Sequence, residues 1–342
     1  MPNKTSIDTL RGIACFLLVA YHVIGFNPAT GLQVPAEHWA SRLNDWLSLV
    51  RMPLFALLSG WVYAQRPVRG WVVEFAWAKV RRLILPMLIV GTAFAVLRAF
   101  TPGANAGPPD WWLLHVKPVA HYWFLEALFW IFLATMMLEE FRLLDRAVTF
   151  ALVGAVVVAL HLLSPLPVYL GLEGALTLLP FFLLGVAASR FHATLLRSAV
   201  VVPFTLLAVL AAADLATHQD LRLASIQTFP KLLASVGFCL LLLRLQPRVQ
   251  WLAWIGRWSF GVYLFHAIFT SAARIAMYRM GVGQLPVLFV VALAAGIAGP
   301  IVLTSLLRGV PGGHWLIGER RKNAQLTPAT QPHDAPHARP GK

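Results

Sequence analysis

Arg11 and His22 are the first residues in this chain whose types and spacing could do chemistry. A permanent cation and an imidazole stand eleven residues apart in the otherwise apolar run from Ile7 to Gly25. Ionisable side chains in such a run cost free energy unless they face a bundle interior, a partner or a wet cavity. On a helix, eleven residues return to within roughly 20° of the same face and lie about 16 Å apart along the axis. That spacing predicts a cation near the helix entry and an imidazole close to mid-membrane. The first can hold an anion, and the second, in its neutral form, can take a proton from a hydroxyl. The same two residues also admit a plainer reading, in which Arg11 marks the membrane interface and His22 bonds a neighbouring helix.

Four further groupings carry polar chemistry. Arg51-Met-Pro-Leu-Phe-Ala-Leu-Leu-Ser-Gly-Trp holds Ser59 and Gly60, a hydroxyl and a point of close backbone approach that packing alone explains. Lys79-Val-Arg-Arg-Leu-Ile-Leu-Pro86 sets Lys79, Arg81 and Arg82 just before a proline-marked helix entry, an arrangement that suits phosphates as well as lipid headgroups. His121-Tyr-Trp-Phe-Leu-Glu brings His121 and Trp123 to the start of an apolar run, as aromatic anchors or as contacts to an acceptor. Ser259-Phe-Gly-Val-Tyr-Leu-Phe-His266 puts Tyr263 and His266 three residues apart on one helix face.

The elements that must position these residues are membrane helices. Of 342 residues, 58% are hydrophobic and 12% charged, with mean hydropathy +0.70. Soluble domains carry about 25% charged residues, so this composition excludes one. Ten apolar runs, at about 8–26, 46–64, 83–100, 121–138, 147–164, 168–189, 199–216, 229–245, 258–278 and 285–307, predict an all-α polytopic bundle of about ten transmembrane helices. They leave one membrane domain, residues 1–317, and a polar, Pro- and His-containing tail, 318–342, expected to be disordered and cytoplasmic. With a cytoplasmic N-terminus, 20 of the 28 Lys and Arg residues fall on the cytoplasmic side and eight on the other, which supports both termini inside. The net charge of +14 is thus a topology signal and not a nucleic-acid footprint.

Between the second and third runs, Arg69 to Arg82 mixes Trp71, Phe75 and Trp77 with basic residues, the pattern of a helix lying at the cytoplasmic interface. Residues 101–109 read as an irregular loop before Trp111 and Trp112, and Pro180 and Pro300 predict kinks. Cys15 and Cys239 lie in apolar runs and form no disulfide framework, and no metal site is expected from them or from His333 and His337 of the tail.

In this order, the groupings resemble the acyltransferase 3 family of membrane acyltransferases, which transfer acyl groups to sugars of surface and secreted glycans. The resemblance spans the chain and rests on Asp8-Thr-Leu-Arg11-Gly with His22, Met52-Pro-Leu-Phe with Ser59-Gly60, Lys79, Arg81 and Arg82 before Pro86, Trp123-Phe-Leu, and Tyr263-Leu-Phe-His266. It implies that Arg11 and His22 are the essential pair and that Lys79 to Arg82 bind the donor. Glu126 follows the Trp-Phe-Leu motif, and no catalytic role is carried onto it. Some members carry a further esterase-like domain after the last span, for which this chain has only the short tail.

The residue chemistry agrees. Acyl-CoA, expected to be acetyl-CoA and a donor substrate rather than a resident cofactor, bears several phosphates and would meet Arg11, Lys79, Arg81 and Arg82 from the cytoplasm. Its thioester would point inward toward His22. A sugar hydroxyl of a glycan or lipid-linked sugar would then attack with His22 as base, or through an acyl-histidine; the residues leave both routes open. The expected enzyme is thus an O-acyltransferase of a bacterial-type inner membrane, with membrane lipids around it and no nucleic-acid partner. A secondary transporter with a buried His/Arg path and a non-catalytic glycan-export partner are the alternatives, the first weakened by the lack of paired Gly/Pro-broken spans in two halves.

Overall fold

A computed structural model describes residues 3–102, 104–105, 109–163, 168–218 and 228–319. Among them the chain forms helices and no strand beyond one isolated bridge, between Leu114 and Lys117. In order the α-helices are α1 (Lys4–Ile24), α2 (Trp39–Trp46), α3 (Ser48–Ala64), α4 (Val72–Lys79), α5 (Leu85–Phe100), α6 (Trp123–Glu140), α7 (Ala147–Leu163) and α8 (Leu172–Arg190). They continue with α9 (His192–Leu195), α10 (Ser198–His218), α11 (Phe229–Leu245), α12 (Gln250–Arg257), α13 (Ser259–Arg279), α14 (Leu285–Gly309) and α15 (Gly313–Leu316). Each of the ten apolar runs is a helix. Eight stretches are long and apolar enough to cross a membrane; α11 joins α12 at a 115° bend, and α7 is shorter at 17 residues. The chain is thus an integral membrane protein, a helical bundle with its apolar core at the helix contacts.

Three expectations change. The interfacial helix expected before Arg82 is no separate element, since α4 runs through a π-helical turn, Val80–Ile84, into α5, one continuous stretch from Val72 to Phe100. Pro86 has no N–H to give the carbonyl of Arg82 and its ring crowds that carbonyl; the wider turn relieves the clash, and Leu85 bonds back to Val80. Lys79, Arg81 and Arg82 therefore sit inside a helix and not before its entry. Second, the helix of the first run spans Lys4–Ile24 and not about 8–26, so His22 lies in its last turn. Third, the folded part extends past 317: Gly318 lies against the carbonyl of Arg82, and Glu319 pairs with Arg308. The remainder of the expected tail, 320–342, lies outside the described residues. Helices α8 and α14 continue through Pro180 and Pro300.

Two close approaches set the frame of the bundle. A Cβ on Gly60 would lie 1.9 Å from the Phe182 carbonyl oxygen, and one on Gly185 equally near that of Leu57, so α3 and α8 touch backbone to backbone. The same holds where Gly12 meets Leu252 and Gly256 meets Asp8, which seats the unexpected helix α12 on the first half of α1. Thr9 adds a hydrogen bond from the Val249 N–H at 3.2 Å. Helix α1 is thereby held at the level of Arg11 by α12, and farther along by α13 and α14.

Candidate functional site: two cavities served by one helix

Two cavities open at opposite ends of the bundle. The wider, about 1230 Å³, lies at the end that holds the N-terminus, between the first turns of α1, α13 and the α4–α5 stretch and the last turns of α3 and α14. Arg11, Arg66, Lys79, Arg81, Arg82, Arg257 and Arg308 all line it, while its one described acid, Glu319, is engaged by Arg308. Arg11 is oriented by Asp8, one turn earlier, at 3.5 Å. Lys79 stacks on Phe132, with Nζ 3.4 Å from the ring centroid, a cation–π contact that holds it at the wall. An excess of cations around water-sized space is an anion site by simple electrostatics, and its guanidinium groups suit phosphate oxygens. Ser59 also lines this cavity, its hydroxyl bonded to the Phe55 carbonyl at 2.8 Å. It therefore faces the cations and not His22.

The second cavity, about 660 Å³, lies at the other end. His22, His121, Trp123 and Tyr263 line it with many apolar side chains, together with Arg51, Arg98, Lys231 and Arg274. Arg51, buried, donates to the Asn44 carbonyl at 2.8 Å and lies over the Tyr21 ring, 3.9 Å from its centroid, beside His22. Tyr263 lines both cavities. It is the one described residue shared by the two linings.

Around His22 the structure assembles what the chain keeps far apart. The ring centroids of His22 and His266 are 4.8 Å apart, of His22 and His121 5.4 Å, and of His121 and His266 4.5 Å. One ring nitrogen of each lies within 4.8 Å of the others, the one place among the described residues where three such groups could hold a metal ion. His121 Nε2 donates to the Tyr263 carbonyl at 3.0 Å, and Tyr263 Oη–H donates back to the His121 carbonyl. Tyr122 Oη–H reaches the Leu264 carbonyl at 2.8 Å. These bonds clasp the start of α6 to α13. They fix the height of His121 beside His22.

Of the residues singled out from sequence, the cavities thus gather Arg11, Lys79, Arg81, Arg82 and Ser59 on one side and His22, His121, Trp123 and Tyr263 on the other, with His266 behind His22. Gly60 belongs to the α3–α8 contact. Glu126, one turn beyond Tyr122, is buried with no hydrogen-bond partner among the described residues and lines neither cavity. The sequence gives no site signal for Arg66, Arg257, Arg308 or Tyr122: the three arginines flank apolar runs as any topology signal does, and Tyr122 reads as one more aromatic anchor beside His121.

A separate polar cluster closes the first end. Glu139, fully buried on α6, is bound by Arg190 and, at 3.1 Å, by Arg69, which also meets Asp145. The Glu139 hydrogen bond holds the Arg69 guanidinium above its ordinary pKa. This network ties the 65–71 connection to α6 and α8 and touches none of the three histidines.

The acyltransferase domain family model matches residues 4–305, nearly the whole chain, and the chain belongs to that family. No curated protein and no solved structure gives a match. The family makes the chain an acyltransferase of the membrane.

Proposed function

We propose that this member of the acyltransferase domain family is an O-acyltransferase that moves an acyl group, acetyl first among them, from acyl-CoA to a sugar hydroxyl of a cell-surface or secreted glycan or of a lipid-linked sugar. One observation carries the reading: a single helix contributes Arg11 to a cation-lined cavity at one end and His22 to a second cavity at the other, and Tyr263 borders both. The donor phosphates take the cations; the acyl end reaches past Tyr263 toward His22; the acceptor enters from the opposite end. His22 takes the hydroxyl proton as the oxygen attacks the thioester carbonyl. The C–O bond forms, the C–S bond breaks, and the CoA thiolate recovers the proton from the imidazolium. An oxyanion formed on the way needs a donor, for which the cations beside His22 or a backbone N–H are the candidates.

The excess of Lys and Arg supports a cytoplasmic position for the wider cavity, the side from which acyl-CoA would enter, in what we take to be an inner membrane. Reporter fusions after Glu319 should then signal cytoplasm and fusions after Asn105 the opposite side; a cytoplasmic signal at Asn105 breaks the assignment. The activity itself is tested with purified protein, labelled acetyl-CoA and glycan, without an ion gradient. Label should appear in the glycan as a base-labile ester. Mass spectra of surface glycans that are identical with and without the gene would sink the reading.

A further inference from the structure

His22 can act as a base only if one ring nitrogen is free toward the hydroxyl and the other keeps its hydrogen, and something must choose which. The two histidines behind it have already made that choice for themselves. His121 gives its Nε2–H to the Tyr263 carbonyl, at 3.0 Å. His266 gives its Nδ1–H to the carbonyls of Val262 and Tyr263, at 2.9 and 3.0 Å. A carbonyl only accepts, so both rings are held in single tautomers. What remains is His121 Nδ1 and His266 Nε2, two lone pairs in full burial with no partner among the described residues. Buried acceptors of this kind are costly to leave alone.

His22 is the neighbour of both, with a ring nitrogen inside the 4.8 Å grouping and an edge on the cavity. It alone of the three has no backbone carbonyl fixing its ring among the described hydrogen bonds. We propose that His121 and His266 are positioning residues: they receive the N–H of His22, directly after a small ring rotation or through one water, and so present its other nitrogen to the acceptor hydroxyl. Resting on the reading of His22 as base, this assigns the trio a division of labour, with one ring that reacts and two that hold it. The same two lone pairs then accept from the imidazolium while it carries the hydroxyl proton. Hydrogen bonds of this type lengthen in an empty site and tighten as the substrate binds.

The replacements that test this keep or remove only the group facing His22. His266→Gln leaves an amide oxygen near the Nε2 position and His121→Asn one near Nδ1, whereas His266→Leu and His121→Leu leave none. With acetyl-CoA and glycan, each Leu variant should lose about tenfold or more in kcat at unchanged donor KM, and the Gln and Asn variants should recover most of it. Equal loss in Leu and amide variants, or normal kcat in the Leu variants, overturns the proposal. Should the Leu proteins not fold, nitrogen-15 spectra of histidine-labelled wild type decide, with His22 assigned by its absence in His22→Ala. A single His22 tautomer is expected, and an even mixture overturns it. So does a divalent metal at one per chain that leaves with a chelator, which would make the trio a metal centre. The underlying reading fails separately: if His22→Ala keeps turnover, His22 is no base, whatever its neighbours do.

Discussion

The two cavities show how differently one membrane protein holds charge and holds chemistry. At the N-terminal end, seven basic side chains from five stretches of chain surround open space, three of them (Arg66, Arg257 and Arg308) at helix ends. Each contributes an increment, and their geometry is loose: Arg11 leans on Asp8, Lys79 on Phe132, Arg308 on Glu319. At the other end the group proposed to react is one imidazole. It is surrounded by rings whose hydrogens are committed to backbone carbonyls, so its place is set by helix packing. Anion binding tolerates substitution within a field of like charges, while proton transfer depends on one atom being where the hydroxyl will be.

The largest effect should break the second cavity and leave the first intact. His22→Ala is expected to lower turnover on the order of a hundredfold or more, with acetyl-CoA affinity by calorimetry nearly unchanged. A purely structural histidine predicts the reverse, a drop in thermal stability with normal turnover per folded molecule. Next, Arg81→Gln combined with Arg82→Gln should weaken acetyl-CoA binding roughly tenfold and leave kcat at saturating donor alone. Wild-type affinity should also fall with added salt, since phosphate contacts at a wet site are screened. Unchanged affinity in the double variant would reduce the cluster to a topology signal.

A smaller, purely structural effect sharpens the contrast. Glu139→Gln leaves Arg190 and Arg69 without their shared carboxylate and should cost about 2 kcal/mol of stability, read as a lower Tm. Turnover per folded molecule should not move, because Glu139 borders neither cavity. Loss of activity at unchanged stability would instead connect that network to the site. Smallest of all, Ser59→Ala should change donor affinity and kcat by less than about twofold. Its hydroxyl is already satisfied by Phe55 within its own helix. A tenfold loss would place Ser59 against the donor.

The sequence by itself determined that this chain lives in a membrane, where its ten apolar helices fall, and that Arg11, His22 and the cations from Lys79 to Arg82 are out of place there unless they do something. Apolar run length and the cost of a buried charge are local properties, so they are legible residue by residue. Helix boundaries were less so: the π-turn before Pro86 and the short helix α12 depend on what packs beside them, α12 on two glycines that let it touch α1. Only the tertiary structure decided that Arg11 and His22 serve different cavities, that Ser59 sides with the cations, and that His121 and His266 stand behind His22. Those three histidines are 99 and 145 residues apart along the chain. No periodicity links them, because what brings them together is the clasp between the turn that leads into α6 and the first turns of α13, made of backbone carbonyls that every sequence possesses and only this packing aims.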